Sequence, residues 1–148
     1  TGWRLGWLVM PASMTHHVGK LIEFNTSCAP VFVQRAALLA LQRTDDITPR
    51  VVAHLRLCRD TLVPLLQALP GVHVMPAPGG MYAFFKLDGH GDSLATAKRL
   101  VVEAGLGLAP GHALAPEAPG WLRWCFASKD PQRLVQGVQR LKSWLAAQ

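Results

Sequence analysis

The feature that most constrains the fold of this sequence is a long amphipathic repeat. Apolar residues recur at spacings of three or four from Ile47 to Leu69, the period of one buried face of an α-helix. Thr48 and Pro49 suit an N-cap and a first-turn proline, so the helix is expected to begin there. Pro64 lacks an amide hydrogen, which predicts a kink or a stop.

Shorter patterns flank this repeat. Apolar runs predict strands over residues 5–10, 72–75, 81–87, 106–109 and 121–127. Helical spacing predicts helices from residue 13, over 31–41 and 93–104, and after Asp130. The 31–41 helix is apolar nearly all round, as expected for a helix packed on several sides. Asp92 or Ser93 should cap the 93–104 helix and Gly105 should end it. This order predicts an α/β (α+β-like) fold with a small mixed sheet flanked by helices.

Composition excludes several classes of protein. Half of the 148 residues are hydrophobic and 16% are charged, which favours a globular domain over disorder. No apolar run reaches the roughly 18 residues of a membrane span. Fifteen basic against nine acidic residues give a net charge of +6, yet the arginines are dispersed and there is a single tyrosine. We therefore expect no nucleic-acid partner, and a few cations placed for anionic ligands.

Cysteine and histidine usage argues against a metal site. The three cysteines are far apart and form no C-x-x-C pair, and the six histidines show no H-x-x-x-H spacing. A disulfide framework is not expected either, which suits a reducing cytoplasm.

Arg123 is the candidate site residue that the residues themselves single out. It lies in the middle of a predicted strand, between Trp121-Leu122 and Trp124-Cys125. A charge in that setting is costly unless an anion pairs with it. Alternation places Arg123 on the same face as Trp121 and Cys125. An edge-strand arginine pointing to water remains the alternative.

Several short motifs occur in order along the chain. They are Thr-Gly-Trp-Arg-Leu-Gly at 1–6, Asn-Thr-Ser-Cys-Ala-Pro at 25–30, Gln-Arg-Ala-Ala at 34–37, Pro-Gly-Gly-Met-Tyr-Ala-Phe at 78–84, Ala-Pro-Gly at 109–111 and Arg-Trp-Cys-Phe-Ala at 123–127. Each is weak alone, but their order resembles that of class I/II (fold-type I) aminotransferases, enzymes that use pyridoxal 5′-phosphate (PLP). The resemblance extends over the whole chain.

The resemblance assigns roles to particular residues. Arg4 would bind the cofactor phosphate, which suits the forked guanidinium group, although a surface arginine is the alternative. Arg123 would bind the substrate α-carboxylate. The hydroxyls of Thr26 and Ser27 would reach the cofactor phosphate of a neighbouring subunit, but an ordinary helix-capping turn fits them equally well. His112 stands near a position that is often aromatic in the family, so the side-chain pocket is not defined.

The resemblance also implies that the catalytic lysine is absent. It would lie five residues before Thr1, and none of the five lysines present precedes the matching run. We therefore expect a carboxy-terminal portion with no catalytic residue of its own, inactive alone. Residues 1–46 would be a remnant of the large PLP-binding domain, and residues 47–148 the small domain with its connecting long helix.

The implied function of the complete protein is transfer of an amino group between an amino acid and a 2-oxo acid. A cytoplasmic homodimer is expected from the same resemblance. The alternatives are another fold-type I PLP enzyme, namely a carbon-sulfur lyase, a decarboxylase or an acyl-transferring synthase, or a non-catalytic binding or dimerisation module.

Overall fold

A computed structural model describes residues 2–148 and divides the chain into two compact units that meet between residues 50 and 51. The first unit contains a 3₁₀ turn (Ala12–Met14), α1 (Thr15–Asn25), α2 (Val31–Gln42) and the start of α3 (Thr44–Gln67). The second unit contains the rest of α3 and all of the strands. The assignment of residues 1–46 and 47–148 to a large and a small domain stays a prediction.

Two predictions for the first unit are wrong. Residues 5–10 form no strand, because an extended run needs a neighbouring strand for its backbone hydrogen bonds, and none of the described residues pairs with it. The α2 helix is not packed on several sides. Only Val33 of this helix is buried, whereas Phe32 and Leu38 are exposed. The apolar composition of α2 therefore lies mostly on the surface of the described chain.

The long amphipathic helix exists, but its predicted start is wrong. The α3 helix begins at Thr44, so Pro49 lies inside it. Two carboxylates, Asp45 and Asp46, occupy the first turn, where their negative charges stabilise the positive end of the helix dipole. Pro64 does not stop the helix, which continues to Gln67. Since Pro64 lies within the last turn, the amide hydrogen that it lacks is the only helical donor lost there.

The second unit is built on a four-stranded sheet. Its strands are β1 (Val72–Val74), β2 (Tyr82–Leu87), β3 (Ala109–Pro110) and β4 (Trp121–Cys125), in the spatial order β1-β2-β4-β3. The α/β class is confirmed, with one correction: all three strand pairings are antiparallel, so the sheet is not mixed. The predicted 106–109 strand shrinks to β3, because only Ala109 and Pro110 pair with β4.

Helices cover one face of this sheet. The α4 helix (Ser93–Ala104) and α5 (Gln132–Ala146) join α3 in a single core with the inward side chains of the strands. The fully buried large side chains of this core include Leu62, Leu66, Phe85, Leu100, Leu122, Phe126 and Leu141. The predicted boundaries of α4 are confirmed: Asp92 caps its first turn and Gly105 ends it in a left-handed conformation, with φ of 63°.

Candidate functional site

The candidate site lies on the sheet face opposite the core. Along β4, Leu122 and Trp124 are buried, whereas Trp121, Arg123 and Cys125 point the other way and stay accessible. Along β2, Ala83, Phe85 and Leu87 face the core. The outer face therefore carries Tyr82, Phe84, Lys86, Trp121, Arg123 and Cys125. The predicted common face of Trp121, Arg123 and Cys125 is confirmed.

Arg123 lies in the interior of the sheet. It pairs with Phe84 of β2 on one side and with Ala109 of β3 on the other. The alternative of an edge-strand arginine is therefore wrong. An interior strand fixes the backbone of Arg123 through neighbours on both sides, so its side chain leaves the sheet from a well-defined point.

An aromatic ring covers the guanidinium group of Arg123. Its Cζ atom lies 4.3 Å from the centre of the Tyr82 ring, well within the range of a cation–π contact. Among residues 2–148, no carboxylate forms an ion pair with Arg123, and no group accepts a hydrogen bond from its side chain. The N–H groups of the guanidinium thus have no partner within the described chain.

The same face also carries a stacked pair of aromatic rings. The rings of Phe84 and Trp121 are stacked, with centroids 5.0 Å apart and an angle of 9° between their planes. The Lys86 ammonium lies 5.8 Å from the Trp121 ring centre. The outer face is consequently a layer of flat rings with two cations, Lys86 and Arg123, and no acidic residue among its members.

Hydrogen bonds connect the loop after β3 to the start of α4. Gly111 follows β3 directly and begins a short 3₁₀ turn, Gly111–Ala113. The backbone amide of His112 donates to the Oγ of Ser93, 3.3 Å away, at the start of α4. Ser93 is buried, and its own amide donates to the carbonyl oxygen of Pro119. These bonds tie the Pro-Gly loop to α4 and so hold β3 against β4.

Arg4 lies in the other unit. Its side chain is exposed, and its backbone has a φ of 54°, in the left-handed region that few non-glycine residues adopt. No described residue forms a hydrogen bond or an ion pair with its guanidinium group. The predicted role of Arg4 in binding phosphate stays a prediction.

The polar turn at residues 25–27 ends α1. The amides of Thr26 and Ser27 both donate to the carbonyl oxygen of Ile22, and Ser27 has a φ of 59°. This is the geometry of a helix-terminating turn. Both residues are exposed, and their role toward a cofactor also stays a prediction.

Sequence reasoning missed Tyr82 as a member of the site. It entered only as one letter of the 78–84 motif. The available signal was the alternation of β2, which places Tyr82 on the same side of its strand as Phe84 and Lys86. Its contact with Arg123 depends on the pairing of β2 with β4, which no local pattern reveals.

The described residues also bear on metal binding and on membrane spans. Residues 2–148 contain no cluster of three or more side chains suited to a metal ion. Within the same residues, no helix combines the length and hydrophobicity that crossing a membrane requires.

Comparison with known proteins identifies the family. The sequence model of the family "Aminotransferase class I and II" matches residues 1–141. A probable aspartate/prephenate aminotransferase of Aquifex aeolicus is 30% identical over 98% of this chain and 38% of its own length. An aspartate aminotransferase of Thermotoga maritima is 31% identical over 98% of this chain and 36% of its own length.

Solved structures agree with this result. The crystal structure of an aminotransferase from Mycobacterium tuberculosis superimposes with a TM-score of 0.81 and 28% identity, over 99% of this chain and 38% of that one. The fold and the motifs define a fold-type I protein. The chain belongs to the class I and II aminotransferases, a PLP-dependent family. It spans 38% of the length of the Aquifex relative.

Proposed function

We propose that the protein to which this chain belongs is a PLP-dependent aminotransferase, which moves an amino group from an amino acid to a 2-oxo acid. The observation that carries the proposal is the guanidinium group of Arg123. It lies on the outer face of an interior strand, partly exposed, with no acidic partner among residues 2–148. Both substrates of an aminotransferase carry a carboxylate, which guanidinium binds through two parallel hydrogen bonds.

The cofactor site fits the residues present only in part. Arg4 is exposed and forms no ion pair with the described residues, so its guanidinium is available for a phosphate group. The hydroxyls of Thr26 and Ser27 are further candidates for the phosphate of a neighbouring subunit. When bound, PLP supplies the electron sink for amino-group transfer. The chain has no lysine in the position that the resemblance requires, so we expect no transamination by these 148 residues alone.

Arg123 favours aminotransfer over one of the alternatives. A residue that holds the α-carboxylate throughout the reaction suits chemistry in which this group is retained, whereas a decarboxylase releases it. The first unit would be part of the large PLP-binding domain, and the second the small domain. We further propose a homodimer that works in the cytoplasm, as the family resemblance implies.

The test uses the complete polypeptide loaded with PLP. Product analysis should show a new amino acid and a new 2-oxo acid in equal amounts. Arg123→Leu should lower kcat/KM roughly 10- to 150-fold, because a hydrogen bond to a charged group contributes about 1.5–3 kcal/mol. Lys86→Leu removes a cation from the same face and should leave kcat/KM within about threefold.

Other outcomes would refute separate parts of the proposal. Release of carbon dioxide or a thiol in place of a second amino acid would identify a decarboxylase or a lyase. Equal losses of kcat/KM in Arg123→Leu and Lys86→Leu would show that Arg123 has no special role in binding the carboxylate. The 148-residue chain titrated with PLP should show no new absorbance near the visible edge, and stoichiometric uptake would contradict the predicted inactivity.

A further inference from the structure

The Tyr82 ring contacts the Arg123 guanidinium, with its centre 4.3 Å from the Cζ atom, and its position follows from strand register. Tyr82 pairs with Cys125 and Phe84 pairs with Arg123, so Tyr82 and Arg123 are diagonal neighbours on the same face. Diagonal neighbours are about 7–8 Å apart at the backbone, within reach of an aromatic ring and a long side chain. The pairing of β2 with β4 therefore brings these two side chains together.

The residue directly opposite Arg123 does not compete for this contact. Phe84 has its ring stacked on Trp121, at an angle of 9° and in close parallel contact. Phe84 is therefore engaged with Trp121, and the ring in contact with Arg123 is that of Tyr82. Tyr82 is itself 42% exposed, so its ring lies at the surface where a ligand can approach.

A ring over the guanidinium has two physical effects. It offers the negative face of its π-system to the cation, which partly balances the charge while no carboxylate is bound. The N–H groups at the edge of the guanidinium form no ion pair with residues 2–148. A carboxylate binds at that edge, in the plane of the guanidinium. A long side chain held in one orientation loses less conformational entropy when the ligand binds.

We propose that Tyr82 is a positioning residue, whose ring holds the guanidinium of Arg123 ready for a substrate carboxylate. This inference rests on the proposed function, since it assumes that Arg123 binds the carboxylate. It adds a residue to the site and assigns the effect to the ring, and not to the phenolic hydroxyl. Binding of both the amino acid and the 2-oxo acid should depend on it, because both carry the same carboxylate.

The experiment compares three variants of the complete PLP-loaded protein. Tyr82→Leu removes the ring, and Tyr82→Phe keeps the ring without the hydroxyl. The control, His73→Leu, removes an exposed ring on the edge strand β1, opposite Lys86 and away from Arg123. We expect Tyr82→Leu to raise KM for both substrates roughly 3- to 30-fold. The kcat should stay within about twofold, because an interaction equally strong in the ground state and the transition state affects KM alone.

The conservative variant separates positioning from a polar role. Tyr82→Phe should retain KM within about threefold of the unaltered protein. A separate binding readout is the dissociation constant of a simple monocarboxylate such as propionate, measured from the cofactor absorbance. Binding should weaken in Tyr82→Leu by the same factor as KM, while His73→Leu leaves it unchanged.

Each alternative outcome contradicts a different statement. Equal increases of KM in Tyr82→Leu and His73→Leu would show general damage to the sheet and overturn the positioning role. A loss in Tyr82→Phe as large as in Tyr82→Leu would transfer the role to the hydroxyl. If Arg123→Leu lowers kcat/KM but Tyr82→Leu changes nothing, only this inference fails. If the unaltered protein transfers no amino group, the proposed function itself fails.

Discussion

Replacing Gly111 with alanine tests how closely the Pro-Gly loop packs under the candidate site. Gly111 is buried and directly follows β3, two residues after Ala109, which pairs with Arg123. A Cβ atom added there would lie 2.6 Å from the carbonyl oxygen of Trp121 and 2.8 Å from that of Ala118. Both are backbone atoms, which cannot move aside as the tip of a side chain can.

The size of the effect follows from these distances. Real Cβ atoms essentially never come within 3.0 Å of such neighbours, so the loop or β4 must shift. Forcing an extra carbon into a packed site costs about 1–3 kcal/mol. For a unit of about 100 residues, each kcal/mol lowers Tm by roughly 4–8 °C. Gly111→Ala should therefore lower the Tm of the second unit by roughly 4–24 °C.

Gly107→Ala is the matched control. Its added Cβ would meet no atom within 4 Å, and its φ is not in the left-handed region. This variant should stay within about 0.5 kcal/mol of the parent. The assay is urea unfolding followed by tryptophan fluorescence, with the slope m checked for constancy. Equal free energies of unfolding for Gly111→Ala and Gly107→Ala would refute the close packing of the loop.

Two further predictions concern α4. Asp92 accepts hydrogen bonds from two amides of the first turn. Asp92→Ala should therefore lower the free energy of unfolding in urea by about 1 kcal/mol, and Asp92→Asn should lower it less. Equal losses in the two variants would contradict the cap. Hydrogen bonds from Arg99 and then from Trp144 hold the pKa of Glu103 below its ordinary 4.5. The resulting stabilisation is present above pH 4.5 and is lost as the pH falls through the lower folded pKa. Glu103→Gln should therefore destabilise the protein at pH 7 and less so at pH 3, and a pH-independent difference would refute this.

Local patterns predicted much of the second unit because the determining contacts are close in sequence. The Asp92 cap and the Gly105 stop of α4 depend on backbone groups within one helical turn. The alternation of β4 likewise follows from the two-residue period of a strand. The face on which Arg123 lies could therefore be read from residues 121–125 alone.

Predictions failed where a distant partner decides the structure. Residues 5–10 have the composition of a buried strand, yet a strand forms only with a neighbour, and the sequence does not name one. The Thr-Pro pair at 48–49 is a strong local signal and predicts a helix start there. The structure instead begins α3 directly after α2, with two carboxylates in its first turn.

The sequence by itself determined the family, the positions of most elements and the face of Arg123, because motifs, caps and alternation depend on neighbouring residues. Only the tertiary structure decided the strand order β1-β2-β4-β3 and the register of β2 against β4. The β2–β4 pairing joins residues about 35 to 43 positions apart, and a backbone hydrogen bond does not reveal its partner in the sequence. The interior position of Arg123 and its contact with Tyr82 both follow from that register.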